Sequence, residues 1–298
     1  MGDIIELRKN MLAIGSGLHE SLTPEYLEPE DIELIYDVPF ADGPDPLELD
    51  VFRPKTFGDA KLPVIVSVHG GGWIAGDKAG NRPYMITLAR EGFAVVSFNY
   101  RLAPESRFPA SLEDTNAAFS WLLAHADEYG FDTGHIFGVG DSAGAHLLAM
   151  YACVLTNPAY AAQFGLSVPE GLRLSALALN CGQYELSASI RTEDPQTFEI
   201  MGYYLSGPST DEALDQISPA HYVTADFPPC FLMSCAGDFL LPQVPVMQQA
   251  LEKARVPFEY HYYTDGRKPL GHVFHINVAK EVSRRCNHEE CGYFRRFL

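Results

Sequence analysis

The sequence predicts an α/β architecture: a single, mostly parallel sheet with helices on both faces. Three observations predict it. Apolar, β-branched runs are bounded by turn residues, helix-patterned stretches lie between them, and the two kinds alternate along the chain. The clearest strands are 63–68, 93–99, 135–139, 174–179, 229–234 and 258–263. An antiparallel pair at 32–38 and 47–52, joined through the turn-rich 41–46, precedes them. Helices are expected at 84–91, 112–129, 143–155, 244–254 and 273–285. One domain over residues 1–298 is the simplest arrangement of this alternation. Residues 1–31 and 183–223 break the pattern. In such a core an insertion after a strand lies over its carboxyl end, where ligands bind, so both segments are candidates for a small lid.

Composition narrows the function. A hydrophobic fraction of 47% with 12% aromatics is enough for a sizeable core and excludes a disordered or fibrous chain. The 21 Lys and Arg against 39 Asp and Glu leave a formal charge of −18, which repels polyanions, so neither nucleic acid nor an anionic membrane is an expected partner. No window reaches the roughly 18 apolar residues of a membrane span. The first twenty residues lack the basic-then-apolar layout of a secretory signal, and Glu6 stands where myristoylation of Gly2 would want Ser or Thr. A cytoplasmic protein is therefore expected, with a homodimer as a candidate assembly. Six cysteines without a C-x-x-C pair are expected to be reduced, and Cys286-Asn-His288-Glu-Glu-Cys291 matches no common zinc spacing. No metal is expected.

Two stretches carry chemistry. Ile136-Phe-Gly-Val-Gly140-Asp141-Ser142-Ala143-Gly144-Ala145-His146 runs from a strand through G-x-S-x-G directly into an apolar helix, the context of a nucleophile elbow. Ser142 must sit at the tip of a sharp, strained turn, and its flanking positions must be small so that strand and helix can approach. The second stretch is the strand Val64-Ile-Val-Ser-Val68 followed by His69-Gly70-Gly71-Gly72-Trp73. Consecutive glycines leave backbone N–H groups free to face a developing oxyanion, and the Ala143 N–H would complete the set. A phosphate cradle is the competing reading, but no G-K-[ST] follows and the G-x-G-x-x-G spacing is missing.

His69-Gly-Gly-Gly-Trp73, Tyr100-Arg-Leu-Ala-Pro-Glu105 and Gly140-Asp-Ser-Ala-Gly144, in that order, resemble the hormone-sensitive-lipase-like branch of the α/β-hydrolases, densely over 45–180 and more loosely over 225–280. The resemblance implies Ser142 as nucleophile, Gly71 and Gly72 as oxyanion donors, and a loop shaped by residues 100–105.

A serine hydroxyl needs a base, and the base a partner to hold its tautomer. The fold's chain order is Ser, acid, His. Asp238 follows the apolar strand 229–234 through a short turn, at a strand's carboxyl end. The related family typically reads Asp-Pro-Leu there; this chain reads Asp238-Phe239-Leu240. His272, in Gly271-His-Val-Phe-His-Ile276, resembles the family's histidine, with His275 as its rival. His69 and His146 read as structural.

The expected reaction is two-step hydrolysis of short-chain acyl esters of small molecules through a covalent acyl-enzyme, with no cofactor. Trp73 and Tyr204, with Phe198 and Tyr203 nearby in sequence, are expected to bound the substrate pocket. Trp73-Ile-Ala-Gly-Asp77-Lys78 and 49–54 also resemble bacterial esterases that deacylate sugars and plant polysaccharides, which adds acetylated sugars to the candidate substrates. An arylformamidase-type amide hydrolase shares the H-G-G-x-W stretch and is the nearer alternative; N-formylkynurenine against phenyl acetate separates the two. A non-catalytic small-molecule receptor on the same fold is the alternative of another class. Receptors of that kind lose a triad member, and here all three candidates are present.

Overall fold

The computed structural model describes residues 3–16, 23–41, 47–186, 190, 194–266 and 268–298. Its eight strands are β1 (Ile32–Ala41), β2 (Leu47–Pro54), β3 (Leu62–Val68), β4 (Ala94–Phe98), β5 (Phe131–Asp141), β6 (Ala176–Asn180), β7 (Cys230–Cys235) and β8 (Phe258–Tyr263). They form one sheet in the order β1-β2-β4-β3-β5-β6-β7-β8. β1 pairs antiparallel with β2, and β2 antiparallel with β4. From β4 to β8 every neighbouring pair is parallel. The expected opening pair is therefore present; residues 42–46 of the turn between its strands lie outside the described residues.

The principal helices are α1 (Ile4–Ser16), α2 (Arg82–Arg90), α3 (Ala110–Ala124), α4 (Ala143–Thr156), α5 (Pro195–Tyr204), α6 (Gln243–Ala254) and α7 (Glu281–Phe294). Side chains alternate across the pleat, and because both faces are covered both sets must be apolar. Val64, Val66 and Val68 of β3 share one core with Leu147 and Leu148 of α4. Ile65, with Phe137 and Val139 of β5, packs on the other face among Met85 and Leu88 of α2 and Phe294 of α7. A continuous β-branched run is what such a doubly covered strand requires.

Two helix expectations need correction. The stretch 112–129 divides at His125 into α3 and a single turn, Ala126–Tyr129. Over 273–285, Val273 instead takes a left-handed conformation (φ 51°), a 3₁₀ turn covers Phe274–Ile276, and α7 starts only at Glu281. The apolar pattern that suggested a helix is there for burial: Val273, Phe274, Ile276 and Val278 are buried in the core shared with α7. No helix among the described residues is long and apolar enough to cross a membrane.

Candidate active site

The β5-to-α4 turn has the geometry its glycines predicted. Ser142 sits at φ 54° and ψ −119°, a strained conformation for a residue with a side chain. It is held from below, since its N–H donates to the Asn180 carbonyl at 2.9 Å. A Cβ on Gly144 would lie 2.0 Å from the Val68 carbonyl oxygen, and one on Gly140 would lie 2.6 Å from that of Gly144. Only glycine lets α4 enter this close to β3.

The glycine loop lies alongside. Gly71 (φ 118°) must also lack a Cβ, which would meet the Ala75 carbonyl oxygen at 2.0 Å. The N–H groups of Gly71, Gly72 and Ala143 donate to no described residue. Asp141 ties loop to elbow: its carboxylate accepts from the Gly70 N–H at 3.1 Å and from the Asn81 amide at 2.9 Å. Burial pushes the Asp141 carboxyl up to about 6, against the opposing effect of these donors. His69 donates from Nδ1 to its neighbour's carbonyl at 2.8 Å and stacks on Tyr100 at 4.3 Å, while burial lowers its pKa. Tyr100 donates to the His69 carbonyl at 2.9 Å, so the 100–105 stretch props the loop from behind.

Asp238 and His272, 34 residues apart in the chain, meet at 2.6 Å between Oδ1 and Nδ1. Asp238 also accepts from Ser234 Oγ at 2.7 Å and the Leu240 N–H at 3.0 Å. Burial alone would raise its pKa, but bonding to His272, the imidazole's charge and these two donors outweigh it, and the carboxyl is held below its ordinary value. With Nδ1 directed at the carboxylate, His272 turns Nε2 elsewhere, and that atom is buried without a partner among the described residues. Ser142 and His272 line the same cavity of about 350 Å³, together with Gly70, Gly71 and Gly72. No hydrogen bond joins them in this structure; in unliganded hydrolases this contact is often long and tightens with substrate.

The rival imidazole is elsewhere. His275 is fully buried, faces Tyr84 edge-on at 4.9 Å, and lies 3.4 Å from the Asn180 amide. Burial and the nearby His272 lower its pKa to about 3. His146 accepts the Trp73 indole N–H at Nδ1 (3.1 Å), so its Nε2 carries the proton donated to the Ile217 carbonyl at 2.6 Å. Burial lowers it to about 4, in keeping with a neutral structural role.

The two aromatic residues expected to bound the pocket do not line this cavity. Trp73 and Tyr204 stack on each other at 5.3 Å and are 4% and 1% exposed. Their rings fill the space behind the loop, and Tyr204 is pinned by Ser111 at 3.0 Å. The walls are instead Met11 and Leu12 of α1, Phe239, Val273 and Ile276, none of which sequence reasoning selected. The change from Asp-Pro-Leu to Asp238-Phe239-Leu240 was the available signal for Phe239, whose ring lies 4.2 Å from that of His272. For α1, one of the two irregular segments, position in the sequence was the only hint. Residues 1–2 and 17–22 of the first lid candidate, and 187–189 and 191–193 of the second, lie outside the described residues. No described residue of 183–223 lines the cavity, although Ile200 of α5 would meet a Cβ on Gly72 at 3.5 Å.

Metal-ligating atoms of Cys181, Asp238 and His272 lie within 4.8 Å of one another, the only such group among the described residues. Two of its members are already bonded to each other. All six cysteines are buried and unpaired.

Fold and site together define an α/β-hydrolase. Residues 49–253 match the BD-FAE family, and the chain belongs to that family. It is 30% identical to Esterase LipC of Mycobacterium tuberculosis over 207 residues, 67% of this chain and 50% of that protein. It is 31% identical to the acetyl esterase of Salmonella choleraesuis over 225 residues, 72% of this chain and 66% of that protein. The chain spans about half the length of LipC and its similarly matched mycobacterial relatives. Among solved structures, esterase B from Lactobacillus rhamnosis superposes with a TM-score of 0.84 at 23% identity, covering 100% of this chain and 96% of that one. A bacterial heroin esterase superposes with a TM-score of 0.76 at 26% identity, covering 99% and 92%.

Proposed function

We propose that this chain is a serine carboxylesterase that hydrolyses short-chain acyl esters of small, neutral molecules through a covalent acyl-enzyme. The observation that carries the reading is the strained Ser142 sharing one cavity with an imidazole whose other nitrogen is bound at 2.6 Å by a buried carboxylate. Ser142 Oγ attacks the ester carbonyl while His272 Nε2 takes its proton, and Asp238 steadies the imidazolium. The N–H groups of Gly71, Gly72 and Ala143 hold the oxyanion. His272 then protonates the departing alcohol, and water repeats the sequence to release the acid. In this scheme α1 covers the site, with Arg8 anchoring it through the carbonyls of Ile74 and Ala103, each at 2.8 Å, and through Glu105.

The small cavity favours a short acyl chain. Its lining includes the carboxyl groups of Asp77 and Asp141 and no Lys or Arg, which disfavours anionic substrates. The name of the Salmonella relative favours acetyl, and acetylated sugars stay within the class.

A panel of p-nitrophenyl esters from acetate to decanoate, run beside acetylated sugars, tests this. The expected kcat/KM peaks at acetate to butyrate and vanishes in Ser142→Ala. A maximum at octanoate or longer would overturn the short-chain assignment, and wild-type turnover by Ser142→Ala the whole mechanism.

A further inference from the structure

Phe239 directly follows the buried Asp238 and yet is 53% exposed. Its ring leans on the His272 imidazole at 4.2 Å with a 38° tilt and lines the cavity. Leu12 of α1 lines the same cavity while 55% exposed. Single exposed apolar side chains are ordinary, but these two also line one cavity, so a ligand seated there covers apolar surface on both. Met11, beside Gly72, with Val273 and Ile276 adds further apolar lining to the cavity. The polar side of the cavity offers no cation, and the Asp77 carboxylate is occupied by the N–H groups of Ala79 and Gly80 at 2.7 and 3.1 Å.

The position relative to His272 says which half of an ester meets this wall. In acyl transfer the imidazole hands its proton to the leaving oxygen, so a ring resting on that imidazole borders the alcohol half rather than the acyl half. We propose that Phe239, Leu12, Met11, Val273 and Ile276 form a subsite for the alcohol portion of the substrate, and that its preferred occupant is an uncharged aromatic group, as in arylmethyl and aryl esters of short acids. An aromatic guest stacks offset or edge-on against Phe239 and buries both exposed side chains on binding. The proposal rests on the esterase reading and names the substrate class that reading leaves open.

The test compares benzyl acetate with ethyl acetate, two acetates of primary alcohols that differ in the ring. The readout is the ratio of their kcat/KM values in the wild type, Phe239→Ala and Phe239→Tyr. Phe239→Ala is expected to lower the benzyl-to-ethyl ratio roughly tenfold, and Phe239→Tyr to keep it within about twofold of wild type. A fall below about threefold in Phe239→Ala, including an equal loss on both esters, would overturn the subsite and leave Phe239 as a prop for His272. A second arm does not depend on turnover. Saturation-transfer NMR of benzyl acetate with Ser142→Ala is expected to give a signal that weakens when Phe239→Ala is added; an unchanged signal overturns the subsite. If the wild type hydrolyses neither ester, the esterase reading fails, and the binding arm alone decides the subsite.

Discussion

On the sheet side of the cavity, Ser142 is held by backbone: its N–H on Asn180, Gly144 against the Val68 carbonyl, and Gly71 against Ala75. On the open side, α1 is anchored by side chains, with Arg8 bonded to two carbonyls, Leu7 buried in the core and Ile4 and Met11 packed against it, and it lines the cavity through Met11 and Leu12. The two regions meet closely, since a Cβ on Gly72 would lie 3.0 Å from Met11 Sδ, but they answer to different physics. Backbone contacts in a close-packed core tolerate almost no change of side chain. A helix docked through side chains constrains the sequence less, and many apolar side chains could serve in place of Met11 or Leu12. The floor thus suits chemistry that must not drift, and the roof suits selection among substrates.

Substitutions on each side sharpen that contrast. The largest effect is expected at the floor. Asp238→Asn leaves Ser234 and the Leu240 N–H nearby but removes the charge that holds the Nδ1 proton of His272, so kcat should fall roughly 10³–10⁴-fold with KM little changed. Steady-state kinetics on p-nitrophenyl acetate check this; a loss of tenfold or less would mean that another group orients the imidazole.

Beneath the floor lies another buried acid, Glu290 of α7, which accepts from Tyr84 at 2.6 Å and from Asn180, the residue whose carbonyl holds Ser142, at 2.8 Å. Burial outweighs these donors and raises its pKa to about 7. A raised folded-state pKa stabilises the fold fully below the unfolded value, near 4.5, and that contribution disappears as pH rises through about 7. Glu290→Gln removes the titration, so its stability relative to wild type should increase by about 3 kcal/mol between pH 4.5 and 7.5. Urea denaturation at several pH values reads this directly, and parallel curves for the two proteins would contradict it.

At the roof the expected effect is smallest. Arg8→Ala should raise KM by roughly two- to tenfold and speed amide exchange in α1. The midpoint of global unfolding should hardly move, because an exposed ion pair contributes little to stability. A collapse of kcat to the level of Asp238→Asn would show that α1 belongs to the catalytic framework.

The same division explains what the sequence made legible. Gly140, Gly144 and the His69–Trp73 run announce themselves because their backbone conformations exclude other residues, and β3 announces itself because both its faces are buried. Asp238 could be found from its place at the end of β7. His272 was separable from His275 only by resemblance, since two histidines three residues apart differ in what surrounds them, not in chemistry. Trp73 and Tyr204 read as pocket residues because aromatic residues near a site suit either substrate or packing, and their packing partners, His146 and each other, come from distant parts of the chain. Asp141 and Asn81 carry no local signal for the bond they share, and α1 has no motif, since a helix that contributes apolar lining to a cavity can be written many ways.

The central claim is that Ser142 is the group activated by His272. Incubating the protein with a fluorophosphonate and locating the adduct by mass spectrometry tests it most directly. The expected result is one phosphonyl group on the peptide containing Ser142, abolished by Ser142→Ala and strongly slowed by His272→Ala. An adduct on another residue, or unmodified Ser142 in a chain that still hydrolyses esters, would contradict it.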